Sequence, residues 1–180
     1  GPLGRSSTAT CRLQPLQEAA ETWLMRKGSA AAVRNLIAER RDAQLEVAAV
    51  VAVAKGTGFD VAVRFEGFQP GVVAQRDRLT MLRAASGGCD VLDTDAAKQI
   101  ASHHDAIRTG GPLKIKIAAP SSTIEIVNTS VGPPLLGGLT DGGFVWYPMS
   151  GLGFITGTPI DDELTANAIR SAREILGKSG

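Results

Sequence analysis

The stretch Val61-Ala62-Val63-Arg64-Phe65-Glu66-Gly67-Phe68-Gln69-Pro70-Gly71-Val72-Val73 constrains the fold of this 180-residue chain more than any other. Val61, Val63 and Phe65 alternate with Ala62, Arg64 and Glu66, a two-residue period that predicts a strand with its odd positions buried and a charge pair on the other face. Arg64 is expected to pair with Glu66 or a domain neighbour rather than to bind a substrate. Gly67 breaks the run. Pro70, with its fixed φ and no N–H, suits the first position of a helix that carries Val72, Leu79 and Leu82 on one side. A strand that turns at once into a helix needs a sheet to join and a layer to cover it.

The flanking sequence supplies both. Gly1-Pro2-Leu3-Gly4 resembles the scar of a cleaved fusion tag, and residues 1–7 are set aside as tag remnant and vector residues. Thr10 to Leu16 and Thr22 to Arg26 read as extended, and Gly28-Ser29 supplies a stop and an N-cap for a helix bearing Val33, Leu36 and Ile37. Leu45 to Ala54 is almost continuously apolar, as in a central strand covered on both faces, and Lys55-Gly56-Thr57-Gly58 is a hairpin turn. The helix after Pro70 is expected to end near Gly87-Gly88, before a short strand from Cys89 to Leu92. The order β-α-β-β-α-β predicts an α+β fold of ferredoxin-like split βαβ units, an antiparallel sheet with helices on one face.

A helix is expected from Asp95 to Arg108. Its His103 and His104 point about 100° apart and have no third partner at ligand spacing, so no metal site is predicted. From Leu113 to Ile117, apolar residues alternate with Lys114 and Lys116, which share the open side of a strand. Ser122-Thr123-Ile124-Glu125 has capping-box spacing and is expected to start a short helix through Ile126 and Val127. Ser130 to Gly143, rich in Gly and Pro, reads as a long loop, either a binding loop or a connector. Phe144 to Tyr147 and Leu152 to Thr156 read as a hairpin. Thr158 and Pro159 are expected to cap and start a last helix with Ile160, Leu164, Ala168, Ala172 and Ile175 as its buried stripe.

Nineteen Lys and Arg against eighteen Asp and Glu leave a net charge of +1, which offers no electrostatic case for nucleic acid or an anionic membrane. An RNA-binding sheet is a further reading, weakened because the expected open positions Ala62, Arg64, Glu66, Lys114 and Lys116 include no stacking aromatic. Cys11 and Cys89 suggest neither a disulfide framework nor zinc, which suits a cytoplasmic protein, and no membrane span or signal peptide is evident. No glycine-rich phosphate loop, nucleophile elbow or metal-ligand spacing is present. On this reading the chain is a binding or lid module.

Thr10-Cys11-Arg12-Leu13-Gln14-Pro15-Leu16 resembles the segment that leaves the FAD domain in flavoproteins of the vanillyl-alcohol-oxidase type. Val63-Arg64-Phe65-Glu66-Gly67 with the helix behind it is similar to a strand and helix of their C-terminal cap domain. Leu113 to Ile117 with Pro120 resembles a later cap strand, and Phe144-Val145-Trp146-Tyr147 the final hairpin. Within this family the resemblance is nearest to the FAD-binding subunits of bacterial glycolate oxidases and related D-2-hydroxyacid dehydrogenases. It implies that residues 8–180 are a cap domain whose FAD-binding domain lies elsewhere, that FAD is the parent's cofactor, and that the cap alone is inactive. It further implies a 2-hydroxyacid substrate, with Lys114 contacting its carboxylate, and iron–sulfur and flavin subunits as partners. The histidine-rich metal motif of the lactate-dehydrogenase branch is absent, which implies a metal-free branch. A stand-alone ferredoxin-like module that binds a ligand or dimerises is the alternative.

Overall fold

Ser29 Oγ accepts a hydrogen bond from Ala32 N at 3.1 Å, so the expected N-cap separates strand β1 (Ala19–Gly28) from helix α1 (Ala30–Asp42). The computed structural model describes residues 18–86 and 88–178, with the backbone alone for 80–86. The expected strand from Thr10 to Leu16, Cys11 and the tag remnant lie outside the described residues. Strand β2 (Val47–Lys55) turns at Gly56, whose φ of +61° suits a residue without Cβ, into β3 (Gly58–Gly67). Helix α2 (Gln69–Ser86) and β4 (Asp90–Leu92) complete the anticipated β-α-β-β-α-β series.

Trp23 and Met25 of β1, Val50 and Ala52 of β2, and Val61, Val63 and Phe65 of β3 are all buried in one core with Val33 of α1 and Val72 and Leu79 of α2. The odd positions of β3 therefore face the helices, as the two-residue period requires. Each such side chain, Phe65 among them at 0 % exposure, contributes about 1.5–3 kcal/mol by leaving water. Arg64, on the reverse side, places its Nε 2.5 Å from Glu66 Oε1, an ion contact rather than an aligned hydrogen bond.

The chain continues into α3 (Thr94–Thr109) and β5 (Leu113–Ala118). A 3₁₀ turn (Ser121–Thr123), α4 (Ile124–Ile126), a π-type turn (Val127–Val131) and α5 (Gly132–Gly137) follow, then β6 (Leu139–Tyr147), β7 (Leu152–Pro159) and α6 (Asp162–Gly177). Among the described residues seven strands form one sheet in the order β4-β1-β3-β2-β6-β7-β5, with every neighbouring pair antiparallel. The α+β class and antiparallel sheet are as expected. The sheet is wider than a split βαβ unit, because three later strands extend it past β2.

Three local expectations are corrected. The stretch from Ser130 to Gly143 is not a loop: Pro133 and Pro134 sit where the first turn of α5 needs no N–H, Val131 and Leu135 are buried, and β6 begins at Leu139. No side chain caps the segment at Ser122 to Glu125; Thr123 Oγ1 donates to Pro120 O at 2.6 Å and Glu125 pairs with Arg34 at 3.2 Å. The last helix is capped by Asp161, whose Oδ1 accepts from Leu164 N at 2.8 Å, because β7 runs on through Pro159 to pair with Leu139. Its buried positions are Thr165 and Ala172, whereas Ile160 and Leu164 are exposed at 62 % and 65 %.

Candidate functional site on the second face of the sheet

Lys114 lies opposite Thr156 across β5 and β7, and Lys116 opposite Phe154. Phe154 in turn faces Val145, and Val145 faces Val53, so these residues share one side of the sheet. Val53 opposite Asp60, Val51 opposite Ala62 and Ala49 opposite Arg64 continue it across β3. Lys114, Lys116, Ala62 and Arg64 thus belong to the same face, as the alternation of two separate strands predicts. That face lies opposite α1 and α2.

Helix α3 packs across part of it. It links β4 at one edge with β5 at the other and contacts β4, β6 and β7 on the way. Asp93 caps its start by accepting from Ala96 N at 2.8 Å and Asp95 N at 3.0 Å. Thr156 Oγ1 donates to Ile107 O near its end. A Cβ on Gly143 would lie 2.9 Å from Ile107 Cγ2, so the glycine is what lets α3 approach β6. The helices are therefore not confined to one face: α1 and α2 share theirs, while α3 lies on the other.

Between α3 and the hairpin end of the sheet is a cleft of about 500 Å³, lined by Leu24, Arg26, Asp60, His103, His104 and Phe144 among others. His104 is 7 % exposed, and burial, reinforced by the neighbouring charge of His103 and opposed by Asp105, lowers its pKa from 6.5 to about 4. It is buried at the wall of this cleft. His103 is exposed, with its ring centroid 6.5 Å from that of His104. Among the described residues no group of three or more His, Cys, Asp and Glu is placed to hold a metal ion.

Beyond the other flank of α3 the face is half-buried. Tyr147, Leu152, Phe154 and Val51 lie there, with the Tyr147 and Phe154 rings meeting edge to face at 6.1 Å. Asp105 binds Arg108 at 3.0 Å on that flank, and Arg108 reaches the Tyr147 hydroxyl. Burial pushes the Tyr147 phenol above its ordinary pKa against the downward pull of Arg108, so at neutral pH it keeps its proton and can donate. Lys114 and Lys116 stand exposed at the edge of this patch, and among the described residues neither forms an ion pair. The structure thus places the predicted contact Lys114 beside a patch containing Tyr147, Phe154 and Arg108.

Tyr147 and Phe154 remove the objection that this face has no aromatic. Alternation within each strand of the hairpin marks them as facing away from Phe144, Trp146 and Ile155. Only the register with β5 reveals that the lysines share their side. A flavin's pyrophosphate would find no glycine-rich loop leading into a helix among the described residues, so this face could meet the ring part of such a group but not its phosphates. Compared with known protein families and with curated proteins, the sequence matches none.

Proposed function

We propose that this chain is the cap domain of an FAD-dependent 2-hydroxyacid oxidoreductase of the glycolate-oxidase kind, with the second sheet face turned toward an FAD-binding domain. The observation that carries this reading is the patch beyond α3. Tyr147, Phe154, Leu152 and Val51 are half-buried, with Lys114 and Lys116 at its rim, neither in an ion pair among the described residues. An apolar, aromatic surface flanked by cations suits a flat conjugated ring and a small carboxylate held in a closing gap. FAD supplies the hydride acceptor. The work left to this chain is to bind the carboxylate, exclude water and hold Tyr147 protonated beside Arg108.

Lys114 is the residue for the carboxylate contact. An ammonium paired with a carboxylate at a partly dry site contributes about 1.5–3 kcal/mol, which corresponds to roughly tenfold to a hundredfold in affinity. In the FAD-loaded enzyme that carries this chain, Lys114→Ala should raise KM for the hydroxyacid by about that factor with little change in kcat. An unchanged KM removes Lys114 from the site. Failure of the wild-type enzyme to oxidise any 2-hydroxyacid with an artificial acceptor defeats the whole reading. The partners that follow are the FAD-binding domain, the hydroxyacid and companion iron–sulfur and flavin subunits.

The alternative, a stand-alone ferredoxin-like module that binds a small ligand or dimerises through this face, is favoured by nothing beyond the same patch. A mass measurement in solution tests its dimer form, and the absence of any hydroxyacid oxidation would favour its ligand-binding form. Among the described residues no helix is long and apolar enough to cross a membrane.

A further inference from the structure

Strand β5 ends the sheet. It pairs with β7 on one side and with nothing described on the other, so alternate backbone N–H and C=O groups along its six residues, about 20 Å of strand, point outward. Beside this edge runs a groove of about 280 Å³ between β5 and α6, with Ile115, Ile117, Leu135, Ile169 and Leu176 along it and Arg173 at its rim. Arg173 and Lys116 are exposed and, among the described residues, form no ion pair. The edge therefore offers unmet backbone groups, an apolar trough on the α6 side and positive charge on both sides.

We propose that β5 is a docking edge for an extended, acidic segment of a partner protein, which adds as a further strand with apolar and acidic residues alternating. Side chains directly across an added pair share a face, so partner residues opposite Ile115 and Ile117 enter the trough toward α6, and the residue opposite Lys116 meets its ammonium. Alternation in the partner follows from alternation in β5. Charge decides the occupant. A second copy of the chain would bring Lys114 and Lys116 against their own counterparts, which opposes self-pairing. Residues 8–17 of this chain contain Arg12 and Pro15 and no acidic residue, so they do not complement the edge either.

The test uses a fluorescent peptide of alternating valine and glutamate, one of alternating valine and lysine, and the chain. The acidic peptide should bind, with affinity that weakens as salt is raised, and should slow amide exchange within Leu113 to Ala118. Charge reversal of both Lys116 and Arg173 to Glu should weaken it about tenfold or more, while the lysine peptide gains. Ala118→Pro, which removes an outward-facing backbone donor because the odd positions of β5 bond to β7, as Ala119 N to Gly151 O shows, should lower affinity at either peptide charge, with circular dichroism confirming that the variant folds. No binding by the acidic peptide, equal binding of both peptides, or β5 amides already protected in the free chain by self-association or by its own N-terminal residues each overturn the proposal. None of these readouts involves flavin or turnover, so the result stands apart from the oxidoreductase reading.

Discussion

His104 shows how much a single buried side chain governs the response to acid. Its pKa of about 4 in the fold against 6.5 for an ordinary imidazole means that between those values the unfolded chain binds more protons than the folded one. Stability is therefore undiminished by this group above pH 6.5 and falls as the pH drops from 6.5 to 4, by about 3 kcal/mol at the low end. Thermal melts at pH 7 and pH 4.5 should show a larger loss for the native chain than for His104→Leu; equal losses would clear His104 as the cause. Gly153 is constrained in the opposite way, by space. A Cβ there would lie 2.5 Å from Trp146 Cε3 and 3.1 Å from Phe144 Cε2, and both rings are buried. Neither ring can swing away without strain in a packed core, so Gly153→Val should cost about 1–3 kcal/mol or more. A melting temperature unchanged by that substitution would show that the β6–β7 layer yields.

Among the elements, α6 separates what local pattern determines from what long-range pairing determines. Thr158-Pro159-Ile160-Asp161 has the residues of a helix start, but β7 keeps pairing with β6 as far as Pro159, and the cap passes to Asp161. The packed stripe consequently runs through buried Thr165 and Ala172 and partly buried Ala168, Ile169 and Ile175, keeping three of the expected positions and losing Ile160 and Leu164. Asp161→Ala should destabilise the chain by about 1 kcal/mol, whereas Leu164→Lys, at a side chain 65 % exposed, should leave the melting temperature nearly unchanged. A large loss from Leu164→Lys would restore the earlier stripe. The region from Leu139 to Gly143 was illegible for a related reason. Its glycines look like loop residues until Ile107 and Leu136 are seen pressing on Gly143 and Gly142, contacts made by parts of the chain far away or on another element. By contrast, the 61–79 strand and helix were plain from local period alone, since Val61, Val63, Phe65, Val72 and Leu79 each fall where that period puts them.

At the scale of the whole molecule, the seven-stranded sheet has one face covered by α1, α2 and α5, with α6 packed on α5, and another crossed, among the described residues, only in part by α3. Local sequence made the first four strands readable, because their helices and turns lie between them in order. It left open how β6, β7 and β5 extend that sheet, because the β2–β6 pairing joins strands more than 80 residues apart. The candidate site inherits this division. Lys114, Lys116 and Arg64 could be assigned to one face by alternation, while Tyr147, Phe154 and the flank of α3 with Arg108 joined them only through register and packing. The most direct measurement is hydroxyl-radical footprinting of Tyr147 and Phe154, in the isolated chain and in the FAD-loaded enzyme that carries it. Both rings should be oxidised in the isolated chain and protected in the enzyme, where the second sheet face closes over the flavin domain. Equal oxidation of the two residues in both samples would contradict that placement.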